Sequence, residues 1–238
     1  MNRRAIKYDL KLLLGDPLLI LSMITPFIFL ALMKFIFPVG AVFISDTWSL
    51  DFFPWFRHAG FFFMLLIPMM TGMVYGFILI DERDGGIITA ISVTPTGKSG
   101  YLKLRLGIPM LLSFIFVILF QLILGIQGTM GFIRIVLLSA LLASESLMML
   151  LFLGAFADNK VVGMAISKGF SILLLGPMLD FILPGKLCWL GAYSPMFWPG
   201  RTFLSETPTE FVIYFLISLT IHILIIYILF RRFTRRDD

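Results

Sequence analysis

The chain has 238 residues, of which 59% are hydrophobic and 14% charged, and its formal net charge is +5. A water-soluble domain carries about 25% charged residues, so this composition excludes a soluble globular protein and indicates a chain embedded in a lipid bilayer. The basic residues lie at the ends of apolar runs rather than in one patch, which argues against a nucleic-acid partner, and the single cysteine, Cys188, excludes an intrachain disulfide and a cysteine-cluster metal site.

The chain begins with a basic amphipathic segment, residues 1–16. Ile6, Leu10 and Leu13 fall on one face of a helix, and four lysines and arginines fall largely on the other. This pattern predicts a short helix lying on the membrane surface, although a simple positively charged anchor is the alternative. Pro17 then predicts a bend before the first membrane span.

Six continuous apolar runs follow, each about 20 residues long and therefore long enough to cross a bilayer as a helix. Because the runs are continuous rather than alternating, they favour helices over a membrane β-barrel. The predicted spans are 17–37, 59–80, 106–126, 132–154, 161–183 and 211–230. The predicted fold class is therefore an all-α polytopic membrane protein, with one six-span domain over residues 1–238.

Lysine and arginine are divided unequally between the two sides of these spans. Fourteen of the 19 fall on one side, which by the positive-inside rule is cytoplasmic and holds both termini. They lie in the segments 1–16, 81–105, 160–168 and 231–236. The two longest loops of the other side, 38–58 and 184–210, contain all four tryptophans, as expected for an aromatic belt at the outer membrane surface.

The segment between spans two and three, residues 81–105, is too polar to lie in lipid. It starts with three acids and one arginine, Asp81 to Asp84. The glycine pair Gly85-Gly86 then allows a sharp change of direction. The segment is predicted to leave the membrane at its cytoplasmic face.

The same segment continues with an apolar patch that is too short to span a membrane. It contains Ile87, Ile88 and Ile91, and Thr94-Pro95 ends it with a turn. A short amphipathic helix held at the membrane face predicts a docking element for a cytoplasmic partner. The alternative is a loop that only connects and caps two spans.

Three acidic or basic side chains lie deep inside the predicted spans and form a candidate intramembrane polar site. They are Glu145, Lys168 and His222. Glu145 and Lys168 are equally far from the centre of the hairpin between spans four and five, at roughly 14–17 Å for 1.5 Å per residue. One interpretation is a structural Glu145–Lys168 pair, because an unpaired charge at this depth is costly. The alternative is that Glu145 lines a transport pathway and meets a cationic group of the substrate.

The sequence lacks the motifs of an enzyme or a nucleotide-binding chain. It contains no G-x-x-x-x-G-K-[ST] phosphate loop, no H-E-x-x-H and no G-x-S-x-G, and its two histidines, His58 and His222, belong to no such pattern. We therefore expect no catalytic residue, no metal site and no cofactor in this chain.

Taken together, these features resemble the membrane subunits of type-two ABC exporters, and within them the bacterial drug-export permeases of the fluoroquinolone-export kind. The resemblance covers nearly the whole chain. One departure is the Ile87-Ile88-Thr89 that follows the glycine pair, where the family commonly shows Gly-Thr-Leu-Glu. The stretches that carry the resemblance are "DERDGGIITAISVTPTGKSGYLKLRL" from Asp81 and "LPGKLCWLGAYSPMFWPGRTFLSE" from Leu183.

The resemblance implies a permease subunit that exports a hydrophobic or amphipathic substrate, including drugs and antibiotics, across a bacterial inner membrane. It implies a separate cytoplasmic ATPase subunit that binds ATP and Mg²⁺, and a second permease chain, identical or not. An ion-driven secondary transporter is the alternative, and an intramembrane enzyme fits less well. The residues that the resemblance implies in ATPase coupling are Glu82, Gly86, Ile87, Ile88, Ile91, Thr94 and Pro95.

Overall fold

The structure, a computed structural model, describes residue 15 and residues 17–92, 97–126 and 131–236. The surface helix predicted over residues 1–16, apart from residue 15, and the predicted turn at Thr94-Pro95 lie outside these ranges and stay predictions. Within the described ranges the chain is helical, with no strand.

The helices are numbered in chain order. A π-helical turn, Leu32–Ile36, joins the first two, and 3₁₀ turns lie at Phe53–Trp55, Ser171–Leu174 and Gly185–Tyr193. The α-helices are α1 Pro17–Ala31, α2 Phe37–Trp48, α3 Phe56–Asp84, α4 Ile87–Ser92, α5 Gly97–Leu124, α6 Phe132–Phe156, α7 Lys160–Phe170, α8 Leu175–Ile182, α9 Phe197–Leu204 and α10 Pro208–Arg236.

Six helical stretches in the described chain are long and apolar enough to cross a membrane, which confirms the predicted fold class. They run Met23–Trp48, Phe53–Asp84, Gly100–Leu124, Phe132–Phe156, Lys160–Ile182 and Pro208–Arg236. We call the end of the bundle that holds Asp81 to Arg105 the insert end. We call the opposite end, which holds the four tryptophans, the tryptophan end.

Both loops predicted at the tryptophan end contain helix. The first span continues through the π-helical turn as far as Trp48, so the boundary predicted at residue 37 was wrong. Pro38 lies in the first turn of α2, where a missing backbone N–H is tolerated. The loop predicted over 184–210 folds into a 3₁₀ turn and α9, which turn back against the bundle and bury Met196 and Phe203 completely.

Helices α3 and α6 form the centre of the bundle, and glycines let their backbones approach closely. A Cβ atom added at Gly72 would lie 2.4 Å from the carbonyl oxygen of Ser146, and one at Gly76 would lie 2.6 Å from a methyl carbon of Leu153. Small residues four positions apart commonly allow close contact between helices in lipid. The hydrophobic effect does not drive helix association there, because the lipid tails are as apolar as the side chains. The remaining helices pack around this pair.

The outer surface of the bundle is apolar, as a lipid-facing surface requires. The first and last spans are the least buried of the six, and Val39 and Ile228 are among their exposed side chains. Polar side chains turn inward instead. The hydroxyls of Thr71 and Ser113 bond to each other between α3 and α5, and Gln121 Nε2 donates to Ser139 Oγ at 2.7 Å between α5 and α6.

Candidate functional site

The acidic cluster that ends α3 ties this helix to its neighbours at the insert end. The carboxylate of Glu82 pairs with the guanidinium of Arg105 on α5, with Nε at 2.6 Å from Oε2, and also accepts a hydrogen bond from the hydroxyl of Tyr101. The side chains of Glu82 and Arg105 are only 3% and 7% exposed. Asp81 pairs with Lys160 at the start of α7, at 3.1 Å. Sequence analysis predicted Glu82 at this end but did not predict its contacts with Arg105 and Tyr101.

Arg83 connects the same cluster to α6. Its guanidinium donates to the carbonyl oxygens of Gly154 at 3.2 Å, Ala157 at 2.5 Å and Asp158 at 3.3 Å. The last carbonyls of a helix have no partner within the helix, so a cation placed there satisfies them. Because successive residues of a helix point about 100° apart, three consecutive side chains of α3 reach α7, α5 and α6 in turn.

Helix α4 follows the glycine pair and lies against α3 and α5. Gly86 has a φ of +69°, a conformation that favours glycine, and so makes the sharp turn that the sequence predicted. Ile88 is only 7% exposed and belongs to the main core, while Ile87 and Ile91 are half-buried. Ile88 therefore packs against its own bundle, and Ala90 is exposed instead, whereas the role predicted for Ile87, Ile88 and Ile91 in docking stays a prediction.

The predicted Glu145–Lys168 pair is absent. Glu145 is completely buried, and neither of its carboxyl oxygens has a hydrogen-bond partner among the described residues, whereas Lys168 is exposed. Equal depth does not fix the direction in which a side chain points. The buried face of α7 carries Gly163, Ser167 and Phe170, and Lys168 falls on the other side of the helix.

His222 of α10 contacts α6 at Ser144, the residue before Glu145, and not at Glu145 itself. Its imidazole is completely buried, and Nδ1 lies 2.7 Å from the hydroxyl of Ser144. Its other ring nitrogen has no partner in the described part of the chain. The structure thus brings Glu145 and His222 onto neighbouring helices at the middle of the bundle, without a hydrogen bond between them.

Lys168 lies instead at a groove of about 550 Å³ on the side of the bundle. Its floor is buried and consists of Met69, Phe77 and Met149. Half-buried methionines of α3 and α7 form its walls: Met70, Met73 and Met164. The sequence contains 14 methionines but could not show that five of them meet at one place.

A second polar cluster lies at the tryptophan end and was missed by sequence analysis. Arg201 of α9 pairs with Asp180 of α8 at 2.6 Å and donates to the sulfur of Cys188 at 2.8 Å. Cys188 is buried, and its own thiol donates to the carbonyl of Gly185. Its residues lie between positions 180 and 201 of the sequence but form no recognised motif, so the sequence did not indicate their contact. We interpret this cluster as the fastening that holds the folded-back segment in place.

No group of three or more metal-ligating side chains occurs within the described ranges.

Comparison with known proteins gives matches over most of the chain. Residues 9–230 match the family described as fluoroquinolones export permease protein Rv2686c-like. Two curated proteins of Mycobacterium tuberculosis, the fluoroquinolones export permease proteins Rv2686c of strain H37Rv and MT2760 of strain CDC 1551, are each 25% identical to this chain over 226 residues. Each alignment covers 92% of this chain and 88% of the relative. No solved structure matches the chain.

Proposed function

This chain belongs to the family of fluoroquinolones export permeases, and from that premise we propose that it is the membrane-spanning subunit of an ATP-driven ABC exporter. The sequence has no phosphate loop, so ATP and Mg²⁺ are bound by a separate cytoplasmic ATPase subunit. A permease that cannot bind ATP itself needs a surface on which the ATPase acts.

The observation that carries the proposal is the way in which α4 and the end of α3 are joined to the bundle. The core contact of Ile88 and the buried Glu82–Arg105 pair fasten the insert to α3 and α5, and Arg83 fastens it to α6. A force applied to α4 would therefore move three spans together. Glu82, Gly86, Ile87 and Ile91 serve in this linkage, and we assign Thr94 and Pro95 to it from the sequence alone.

The charge distribution supports the orientation that this coupling requires. The insert end holds most of the lysines and arginines, so we place it, with both termini, in the cytoplasm of a bacterial cell. A second permease chain, identical or not, completes the transport unit in our proposal. The exposed apolar faces of the first and last spans offer room for it alongside lipid.

The substrate is an amphipathic or hydrophobic molecule in this proposal. The names of the relatives point to fluoroquinolones as the first compounds to test. Glu145 lies in the middle of the bundle with no partner for its carboxyl group in the described chain, which supports a place beside the transport pathway, where it meets a cationic group of the substrate.

The test is to purify the tagged chain from its native membranes in a mild detergent and to identify the proteins that accompany it. We expect an ATPase that contains a phosphate loop, in stoichiometric amount. An ion-driven secondary transporter, the other candidate, would be purified without such a partner and would lose transport when the proton gradient is collapsed.

A further inference from the structure

We propose that the methionine-lined groove between α3 and α7 binds an amphipathic organic anion, and that Lys168 pairs with its acidic group. The inference rests on the proposed function, because it assigns a further class of molecule, acidic and amphipathic, that the exporter accepts from the membrane. It is a different site from Glu145, which is completely buried and is not among the residues that line the groove.

The groove has the size and the surface of a small-molecule site. Its volume of about 550 Å³ lies within the roughly 300–1,000 Å³ that is usual for such sites. Methionine side chains are flexible and polarisable, so the five in the floor and walls form a surface that adapts to apolar bodies of different shape. Phe77 in the floor adds an aromatic surface.

Lys168 is the one charged side chain among the residues that line this groove. The described structure records no ion pair for it, and the hydroxyls beside it are already engaged. Ser167 donates to the carbonyl of Met164 at 2.9 Å, and Ser171 donates to the carbonyl of Ser167 at 3.3 Å. A cation on an otherwise apolar wall attracts an acidic group and gains most from it where little water competes.

The position of the groove indicates how such a molecule reaches it. Lys168 lies eight residues after Lys160, which begins α7 at the insert end, and this corresponds to a depth of about 12 Å. Val161 and Ala165 on the rim of the groove are exposed on the outside of the bundle. An amphipathic acid dissolved in the adjacent leaflet, with its acidic group near the membrane surface, enters sideways without crossing water.

The test measures binding to the full-length chain in phosphatidylcholine nanodiscs, without nucleotide or ATPase. The probes are the fluorescent dansylaminoundecanoic acid and its uncharged methyl ester, each corrected for binding to empty nanodiscs. We expect Lys168→Gln to weaken binding of the acid by about tenfold to a hundredfold and to leave the ester within about twofold, as for loss of one charged hydrogen bond. Lys168→Arg should retain binding of the acid.

Two further variants separate charge from shape. Lys186→Gln removes an exposed lysine at the tryptophan end, outside the groove, and should leave both probes unchanged. Met73→Trp fills the groove and should weaken the acid and the ester together. If the unaltered chain binds the ester as tightly as the acid, or if Lys168→Gln leaves the acid unaffected, the proposal is overturned.

A lipid headgroup is the other source of an acidic group, and the same assay distinguishes it. If phosphatidylglycerol in the nanodisc displaces the acid from the unaltered chain at equal concentration, the groove is a lipid site and the proposal fails. Because binding is measured without ATP, failure of ATP-driven export would leave this result standing. Loss of binding would equally leave the ATPase partnership untouched.

Discussion

At the insert end, Glu82 and Arg105 are two opposite charges removed almost entirely from solvent. Each compensates the other, and the hydroxyl of Tyr101 donates to Glu82 as well. Such a pair costs much to desolvate, so it contributes less to net stability than its short contacts suggest. Any substitution that leaves one of the two charges buried without its partner is, however, strongly destabilising.

Glu82→Gln should therefore lower the free energy of unfolding by about 3–5 kcal/mol, because it leaves Arg105 buried and uncompensated. Thermal unfolding in detergent measures this loss. Asp158→Asn is the matched control, since it removes an ion pair with Arg236 in which the Asp158 side chain is 79% exposed, and it should cost no more than about 1 kcal/mol. Equal losses for the two variants would show that the Glu82–Arg105 pair is effectively solvated.

Glu145 presents the opposite case, a buried carboxyl group with no compensating partner in the described chain. Glu145→Gln removes the ionisable group and keeps the size, so the folded protein should be as stable as before or more stable. Export of cationic substrates should fall, while export of neutral ones persists. Glu210→Gln, which changes an exposed acid at the tryptophan end, serves as the control. Unchanged export of cations by the Glu145→Gln variant would remove this residue from the pathway.

Among the elements, the close contact between α3 and α6 depends on glycines, which have no side chain to hold the helices apart. Gly72 lies directly against the backbone of Ser146. A helix backbone cannot move aside as a flexible side chain can, so a methyl group at this position must separate the two central helices.

Gly72→Ala should destabilise the bundle by about 1–3 kcal/mol, the usual cost of an overpacked site. Gly107→Ala is the control, because this glycine is also inside a helix but a Cβ atom there would meet nothing within 4 Å. That variant should be neutral or slightly stabilising, since alanine favours helix. Thermal unfolding of both proteins in the same detergent decides the matter, and a larger loss at Gly107 would contradict the packing described.

Helix α4 has one buried side and one exposed side. Ile88 holds it to the bundle, and Ala90 faces outward. Ala90→Asp should leave insertion and thermal stability unchanged but reduce recovery of the ATPase in a pull-down and abolish export. Ile88→Asp should instead destabilise the chain itself, because it buries an unpaired charge. Thr209→Asp, at an exposed position of the opposite end, is the control. Full ATPase recovery with Ala90→Asp would place the docking surface elsewhere.

For the whole molecule, the six spans could be predicted because a span is recognised from the mean hydropathy of about 20 consecutive residues. That mean does not depend on tertiary contacts. The direction of a single side chain does depend on them. Glu145 and Lys168 matched in depth but face different sides of the bundle, and the apolar side of α4 packs on its own core although its pattern equally suits a partner. The Asp180–Arg201 pair arises only when the folded-back segment meets α8.

The central claim is that this bundle exports its substrate at the expense of ATP hydrolysed by another subunit. It is tested most directly with inside-out membrane vesicles that contain the chain and its co-purifying ATPase, by following uptake of a fluorescent fluoroquinolone. We predict uptake that requires ATP, stops with vanadate and continues when a protonophore collapses the proton gradient. Uptake that is indifferent to ATP and vanishes with the protonophore would contradict the account.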